Sequence, residues 1–95
     1  MPFRIEWNQE ALDDLEMLDS FDSPIIHREV RLLEHHADQL GRNRRPLAAP
    51  LRWCPEATWQ LRVRGYRVLY SIDAGIVRVV RIKWKGRSTT EEIGE

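Results

Sequence analysis

Residues 58–72 read TWQLRVRGYRVLYSI, two runs of alternating apolar and polar residues that meet at Gly65. Alternation with a period of two is typical of β-strands that bury one face. Gly65 allows a tight connection between the runs, and residues 73–75 (Asp-Ala-Gly) supply a second turn before another alternating run. We therefore predict three consecutive antiparallel strands, over residues 58–64, 66–72 and 76–85.

The two faces of this predicted sheet differ in polarity. The apolar positions, which include Trp59, Tyr66 and Trp84, should point into the core. The opposite, exposed face should carry Gln60, Arg62, Arg64, Arg67, Arg81, Lys83 and Lys85. Because like charges placed side by side repel each other, such a face lowers stability unless it is solvated or binds an anion. The pattern favours a binding role over a passive surface.

Charge is segregated along the chain, although it sums to zero. Residues 1–40 carry ten acidic and three basic residues, whereas residues 41–87 carry twelve basic and two acidic ones. This asymmetry suggests a face that binds a polyanion. Thirteen of the fifteen basic residues are arginine, whose forked donors suit phosphate. The alternative is a solvated basic face that pairs with the acidic half.

The N-terminal half predicts one strand and two helices. Residues 3–7 alternate and indicate a short, half-buried strand. Asn8 can cap a first amphipathic helix. Ser23 as N-cap, with Pro24 at the first helical position, indicates a second helix that ends before Gly41. A short link between two such helices predicts an α-hairpin.

Two further segments have no sustained period. Residues 42–57 contain three prolines and predict a loop that crosses the surface. Residues 88–91 (Ser-Thr-Thr-Glu) have the spacing of a capping box and predict a short C-terminal helix. The chain, residues 1–95, is thus predicted to be a single α+β domain. Its N-terminal strand and α-hairpin should pack on a small, mainly antiparallel sheet.

Composition and motifs exclude several classes of protein and several kinds of site. Hydrophobic residues make up 42% and charged residues 32%, which is typical of a folded, soluble domain. No apolar run is long enough to span a bilayer, and no signal peptide is visible. Cys54 is the only cysteine. Three histidines on the second helix lack ligand spacing, and no phosphate loop or catalytic triad is present. We expect no metal, no cofactor and a cytoplasmic location.

Trp53 admits two interpretations. It lies in the predicted loop, so no alternation fixes its direction. It could pack against the sheet or stack on a nucleobase, as aromatic side chains do in single-strand binders.

The run Gly65-Tyr66-Arg67-Val68-Leu69-Tyr70, followed by a hairpin and then by Lys83-Trp84-Lys85-Gly86-Arg87, resembles the RelE/ParE superfamily of toxins from bacterial type II toxin–antitoxin systems. The helix pair, the proline-rich loop and the strand order also fit, so the resemblance covers nearly the whole chain. It implies a toxin with a cognate antitoxin that is acidic and partly disordered and that covers the arginines. Charge reversal at Arg62 or Arg81 should then weaken the complex.

RelE-like members are ribonucleases that cut messenger RNA in the ribosomal A site without a metal. The 2′-hydroxyl attacks the adjacent phosphate and leaves a cyclic phosphate. The resemblance implies that Arg67 and Arg87 stabilise the phosphorane and that Arg62 holds or orients it. Messenger RNA and the ribosome are then partners. The residues expected to bind RNA around them are Arg44, Arg45, Arg64, Arg81, Lys83 and Lys85.

The chain departs from RelE at two positions. Gln60 stands where RelE has a lysine, and Ile93 falls roughly where RelE has a tyrosine. These departures keep two alternatives open: a ParE-like inhibitor of DNA gyrase, or a degenerate, non-toxic relative that binds RNA or an antitoxin.

Overall fold

The computed structural model describes residues 2–84 of the chain. The predicted terminal helix over residues 88–91 and the candidate residues Lys85 and Arg87 lie outside them. The elements in chain order are β1 (Arg4–Trp7), α1 (Gln9–Glu16), α2 (Asp22–Arg31), α3 (Leu33–His36), β2 (Arg44–Pro46), β3 (Trp59–Val63), β4 (Tyr66–Asp73) and β5 (Ile76–Trp84).

The strands form one sheet in the order β1-β5-β4-β3-β2. Neighbours pair antiparallel except for β1 and β5, which are parallel because the helices cross between β1 and the rest of the sheet. The predicted α+β class and mainly antiparallel sheet are confirmed. β2 was missed because this three-residue edge strand has no period of its own and ends at a proline. It is held by pairing to β3.

The helices differ from the prediction at two points. Asn8 occupies the N-cap position of α1, as predicted, but its side chain forms no capping hydrogen bond. Ser23 does not cap α2, because the Asp19 carboxylate accepts the N–H groups of Phe21 and Asp22 at 2.9 and 2.8 Å. The second helix is also interrupted at Leu32, so that α2 and α3 replace one continuous helix. Among the described helices, none is long and apolar enough to cross a membrane.

The main core lies between the helices and one face of the sheet. Ala11, Ile26 and Val30 of the helices meet Val68, Tyr70, Val77 and Val79 of the strands there. The Tyr70 hydroxyl is fully buried and donates a 2.7 Å hydrogen bond to the Ala37 carbonyl. This packing sets the other face of β3, β4 and β5 outward.

That other face is only partly cationic, which corrects the prediction of a wholly exposed basic face. The segment over residues 47–57 folds across it and buries a second apolar cluster. The cluster comprises Leu51, Cys54, Ala57, Leu69 and Val80, with Leu47 and Trp53 at its margin. Burial of apolar surface explains the arrangement, since about 25 cal/mol is gained for each Å² removed from water.

A β-bulge in β5 explains why simple alternation failed at Val80. Tyr70 pairs with Val79 and Leu69 pairs with Arg81, so Val80 is an extra residue between two pairs. Strict alternation over residues 76–85 would place Val80 on the same face as Ile82. It instead packs in the second apolar cluster, whereas Ile82 packs in the main core.

Candidate functional site

Four cationic side chains converge on the part of the second face that residues 47–57 leave open. Arg62 pairs with Arg67 across β3 and β4, and Arg67 pairs with Lys83 across β4 and β5. Paired residues in antiparallel strands project from the same face, so these three form a row. Arg45 of β2 is close enough for its charge to lower the pKa of Arg67. We call Arg45, Arg62, Arg67 and Lys83 the basic cluster.

Arg67 is the most buried member of the basic cluster, with only 3% of its surface exposed. Its guanidinium donates a 3.2 Å hydrogen bond to the Tyr66 carbonyl. Within residues 2–84, no member of the cluster forms an ion pair with a carboxylate. Burial, followed by the charges of Arg62 and Arg45, lowers the pKa of Arg67. A bound anion would relieve both effects.

Two arginines predicted to bind RNA beside the basic cluster, Arg64 and Arg44, lie on the helix side of the sheet instead. Arg64 has φ of 58° in the β3–β4 turn, and its side chain pairs with Asp22 at 3.1 Å on the helix side. Arg44 pairs in register with Leu61, a main-core residue, and its Nε donates to the Gln39 carbonyl at 2.8 Å. The prediction that Arg44 and Arg64 belong with Arg62 in one basic surface is therefore wrong.

Arg81 pairs in register with Leu69 of the second apolar cluster, but its guanidinium is engaged by carboxylates of α1. Its Nε donates to an Asp14 carboxylate oxygen at 2.8 Å, and Glu10 lies 3.7 Å away. The hydrogen bond from Arg81 to Asp14 raises the pKa of the arginine. The side chain is therefore held by the acidic residues of α1 rather than presented to a ligand.

Trp53 lies beside the basic cluster, in an orientation that the sequence did not determine. Its ring packs at the margin of the second apolar cluster, and the Lys83 ammonium lies 5.7 Å from the ring centroid. This is a cation–π contact. The indole N–H is buried and has no hydrogen-bond partner within the described part of the chain. No local sequence pattern signals this contact, since it depends on how residues 47–57 fold back.

The two tryptophans at the ends of the sheet strands, Trp59 and Trp84, differ in their burial. Trp59 is partly buried and stacks on Tyr70, with ring centroids 6.0 Å apart. Trp84 was predicted in the core, but 64% of it is exposed and it meets Tyr66 edge-on. It lies at the end of β5, beyond the helices that cover the rest of that face.

Gln60 is 4% exposed and pairs in register with Arg45. Over residues 2–84, no group of three or more His, Cys, Asp or Glu side chains is arranged to hold a metal ion. The basic cluster offers fixed positive charge at a partly desolvated site. Sites of this type bind phosphate and stabilise extra negative charge on the phosphate.

Comparison with solved structures places the fold among toxins of this architecture. The RelBE2 toxin–antitoxin complex of Mycobacterium tuberculosis matches with a TM-score of 0.69 at 22% identity, over 86% of this chain and 96% of that one. An archaeal RelE–RelB complex from Pyrococcus horikoshii matches with a TM-score of 0.72 at 17% identity, over 93% and 100%. The isolated RelE toxin of E. coli matches with a TM-score of 0.58 at 20% identity, over 95% and 88%.

At the sequence level, no curated protein matches the chain. The model of one family does, over residues 5–88, and its description is the ParE toxin of the type II toxin–antitoxin system parDE. The match spans nearly the whole chain, including both runs that carry the resemblance to the superfamily. The chain therefore belongs to the ParE toxin family, within the RelE/ParE superfamily of type II toxin–antitoxin toxins.

Proposed function

We propose that this toxin is a ribosome-dependent messenger RNA endoribonuclease whose basic cluster binds the scissile phosphate. The observation that carries the proposal is Arg67, a buried guanidinium beside Arg62, Arg45 and Lys83 that pairs with no carboxylate within residues 2–84. Burying an uncompensated charge is costly, so such a site is favoured where an anion completes it. Single-stranded RNA in the cytoplasm is an abundant anion of the right kind.

The proposed chemistry breaks one bond and forms another. The 2′-oxygen of the messenger loses its proton and attacks the adjacent phosphorus, and the bond to the 5′-oxygen breaks as that oxygen gains a proton. Arg67 and Arg87 stabilise the charge on the phosphorane, and Arg62 orients it. The neighbouring positions of Arg62 and Arg67 support their part of this proposal. Arginine stays protonated, so it serves as an electrostatic stabiliser rather than as the base.

The experiment is tightly induced expression in bacteria, with primer extension on an abundant messenger. We expect growth arrest and new in-frame 5′ ends, both lost in Arg67→Ala. Removing one such stabilising group usually lowers turnover by about 10²–10³-fold. Arg28→Ala is the matched control, because Arg28 is an exposed arginine on α2. Arrest with intact messenger, or equal cleavage by Arg67→Ala, would contradict the proposal.

A second candidate function is inhibition of DNA gyrase. The matching family is named for ParE, which favours it. The resemblance to RelE, which implies a lysine where this chain has Gln60, favours it as well. Induced expression would then alter plasmid supercoiling and trigger the DNA-damage response while messengers stay intact. The third candidate, a non-toxic relative, would cause no growth arrest when it is expressed.

We further propose that a cognate antitoxin covers the basic cluster. Two of the structural matches are toxin–antitoxin complexes, which supports an antitoxin partner here. An acidic, extended segment would suit four cations that form no ion pair with a carboxylate within residues 2–84. Arg62→Glu should weaken the complex, measured by calorimetry, and Arg28→Glu should not. Arg81 is no longer a suitable test position, because reversing its charge would break the contact with Asp14.

A further inference from the structure

The bulge in β5 decides which way Lys83 points. Val79 faces the main core, and strict alternation from Val79 would turn position 83 toward the helices as well. The extra residue Val80 shifts the phase, so that Ile82 faces the main core and Lys83 pairs with Arg67 on the opposite face. Without the bulge, the basic cluster would lose Lys83. Bulges are often found where a side chain must be re-aimed beside a functional site.

One carboxylate from α1 holds this bulge. The parallel partner β1 ends at Trp7, opposite Val79, so the remainder of β5 has an open edge there. An Asp14 oxygen accepts the Ile82 backbone N–H at 2.9 Å and the Arg81 Nε at 2.8 Å, and its other oxygen accepts an Arg81 guanidinium nitrogen at 3.2 Å. Asp14 thus binds the backbone and a side chain immediately after the extra residue.

Trp53 supports Lys83 from the other side. Its ring, fixed at the margin of the second apolar cluster, lies under the Lys83 ammonium. Lys83 is therefore confined between an aromatic ring and its cross-strand neighbour Arg67. A long, flexible side chain that is held in this way binds an anion at a smaller entropic cost.

We propose that Asp14 is a positioning residue for phosphate binding: by holding the β5 bulge it directs Lys83, supported by Trp53, at the same RNA phosphate that Arg67 binds. This inference rests on the proposed function. To the proposed function it adds a contact between Lys83 and the RNA phosphate. It also adds Asp14, a residue outside the basic cluster that controls this contact.

Simple electrostatics and positioning make opposite predictions for Asp14→Ala. Removing an acidic residue raises the net positive charge, which by itself strengthens RNA binding. If Asp14 positions Lys83, its removal must instead weaken binding. Glu6→Ala is the matched control, since it removes an acidic residue that pairs with Arg78 of the same strand, before the bulge, and that makes no hydrogen bond to Arg81 or Ile82 in the described part of the chain.

The experiment measures the affinity of the full chain for a short single-stranded RNA that carries 2′-deoxyriboses and so cannot be cut. Anisotropy titrations over a range of salt compare the wild type with Asp14→Ala, Lys83→Ala and the double variant. We expect each single variant to lose about tenfold in affinity. The slope of log affinity against log salt should fall by about 0.7, the value for one lost phosphate contact on a single strand. The double variant should bind no more weakly than Lys83→Ala alone.

An unchanged or higher affinity of Asp14→Ala, or additive losses in the double variant, would overturn the inference. If Asp14→Ala melts below the assay temperature, Asp14→Asn takes its place. It keeps an acceptor for the Ile82 N–H but loses the second contact to Arg81, so we expect a smaller loss that still vanishes when Lys83 is absent. Trp53→Leu should also weaken binding, and Trp53→Phe should restore most of it, because phenylalanine keeps a π face.

The design separates failure of the inference from failure of the proposed function. Because the RNA cannot be cut, binding is measured whether or not the toxin is a nuclease. Binding that depends on Arg67, in a protein that leaves messengers intact, would remove the nuclease proposal, and the Asp14–Lys83 comparison would still decide the inference. Absence of any Arg67-dependent binding would overturn both.

Discussion

Arg67 shows at the scale of one residue how binding and stability compete. Its guanidinium is almost fully buried among other cations, and its lowered pKa reports that the folded state disfavours the charged form. Since arginine stays protonated at all ordinary pH values, this unfavourable term is present throughout. Functional sites often carry such a term because the ligand, rather than the fold, compensates it.

We predict that Arg67→Met makes the protein more stable and inactive. Methionine fills a similar volume without charge, so the free energy of unfolding should rise by about 1 kcal/mol. Urea denaturation followed by fluorescence measures this change, and the cleavage assay described above measures activity. Arg28→Met, which changes an exposed arginine, should stay within about 0.5 kcal/mol of the wild type. A clear loss of stability in Arg67→Met would contradict the prediction.

Tyr70 predicts a loss of stability at alkaline pH. Burial raises its pKa above the ordinary value of 10.0. The folded state therefore favours the neutral phenol, while the unfolded chain ionises near pH 10. The stabilisation is complete below that pH and is lost progressively above it. In Tyr70→Phe this part of the pH dependence should disappear, and stability at neutral pH should fall by about 1–2 kcal/mol because the Ala37 carbonyl loses its partner. Equal slopes above pH 10 in both proteins would refute the assignment.

At the scale of elements, the β3–β4 hairpin is fixed to α2. Asp22, the first residue of α2, accepts the Tyr66 hydroxyl at 3.2 Å and pairs with Arg64 at 3.1 Å. The left-handed conformation of Arg64 is what turns its side chain toward this helix. The same turn brings Gly65 directly against the Trp84 ring at the end of β5.

Gly65→Ala should test this contact. A Cβ at position 65 would overlap the Trp84 ring, so the hairpin or the ring must move, at a cost of about 1–3 kcal/mol. Trp84→Ala should change stability less, since most of its ring is exposed. In the double variant the overlap is gone, and Gly65→Ala should cost less in that background. Additive effects in thermal unfolding would show that the ring is not the obstacle.

At the scale of the whole molecule, the sheet is covered on both faces but unequally. The helices cover most of one face, and residues 47–57 cover part of the other, which leaves the basic cluster at the border of the second apolar cluster. Cys54 lies in that second cluster, and burial raises the pKa of its thiol. Its reactivity therefore reports whether this segment stays closed.

We predict that Cys54, the single cysteine, reacts slowly with a disulfide reagent in the native protein. The rate should be at least about a hundredfold below that of the same chain in denaturant, because the thiolate is disfavoured and the segment must first open. Binding of the deoxy-substituted RNA at the adjacent basic cluster should slow the reaction further. A native rate equal to the denatured one would show that the second cluster is open in solution.

Local sequence patterns account for most of the fold. Strict alternation located β3, β4 and most of β5, and an N-cap residue with an apolar stripe located α1. The Gly-Tyr-Arg run also placed Arg62 and Arg67 together, because the tight turn at Gly65 forces them to pair across the hairpin. These signals depend only on residues close together in the chain, so they can be recognised without knowledge of tertiary contacts.

The chain's own sequence thus determined the fold class, the family and the core of the basic cluster. Tertiary structure alone decided which other cations join it. Arg81 and Lys83 look equivalent by alternation, yet Asp14, which lies 67 residues before Arg81, binds the Arg81 side chain, whereas Lys83 pairs with Arg67. Residues 47–57 bury part of the face that the pattern left exposed. The physical reason is that a period of two describes an undisturbed strand, whereas bulges and loop packing are set by contacts between distant segments.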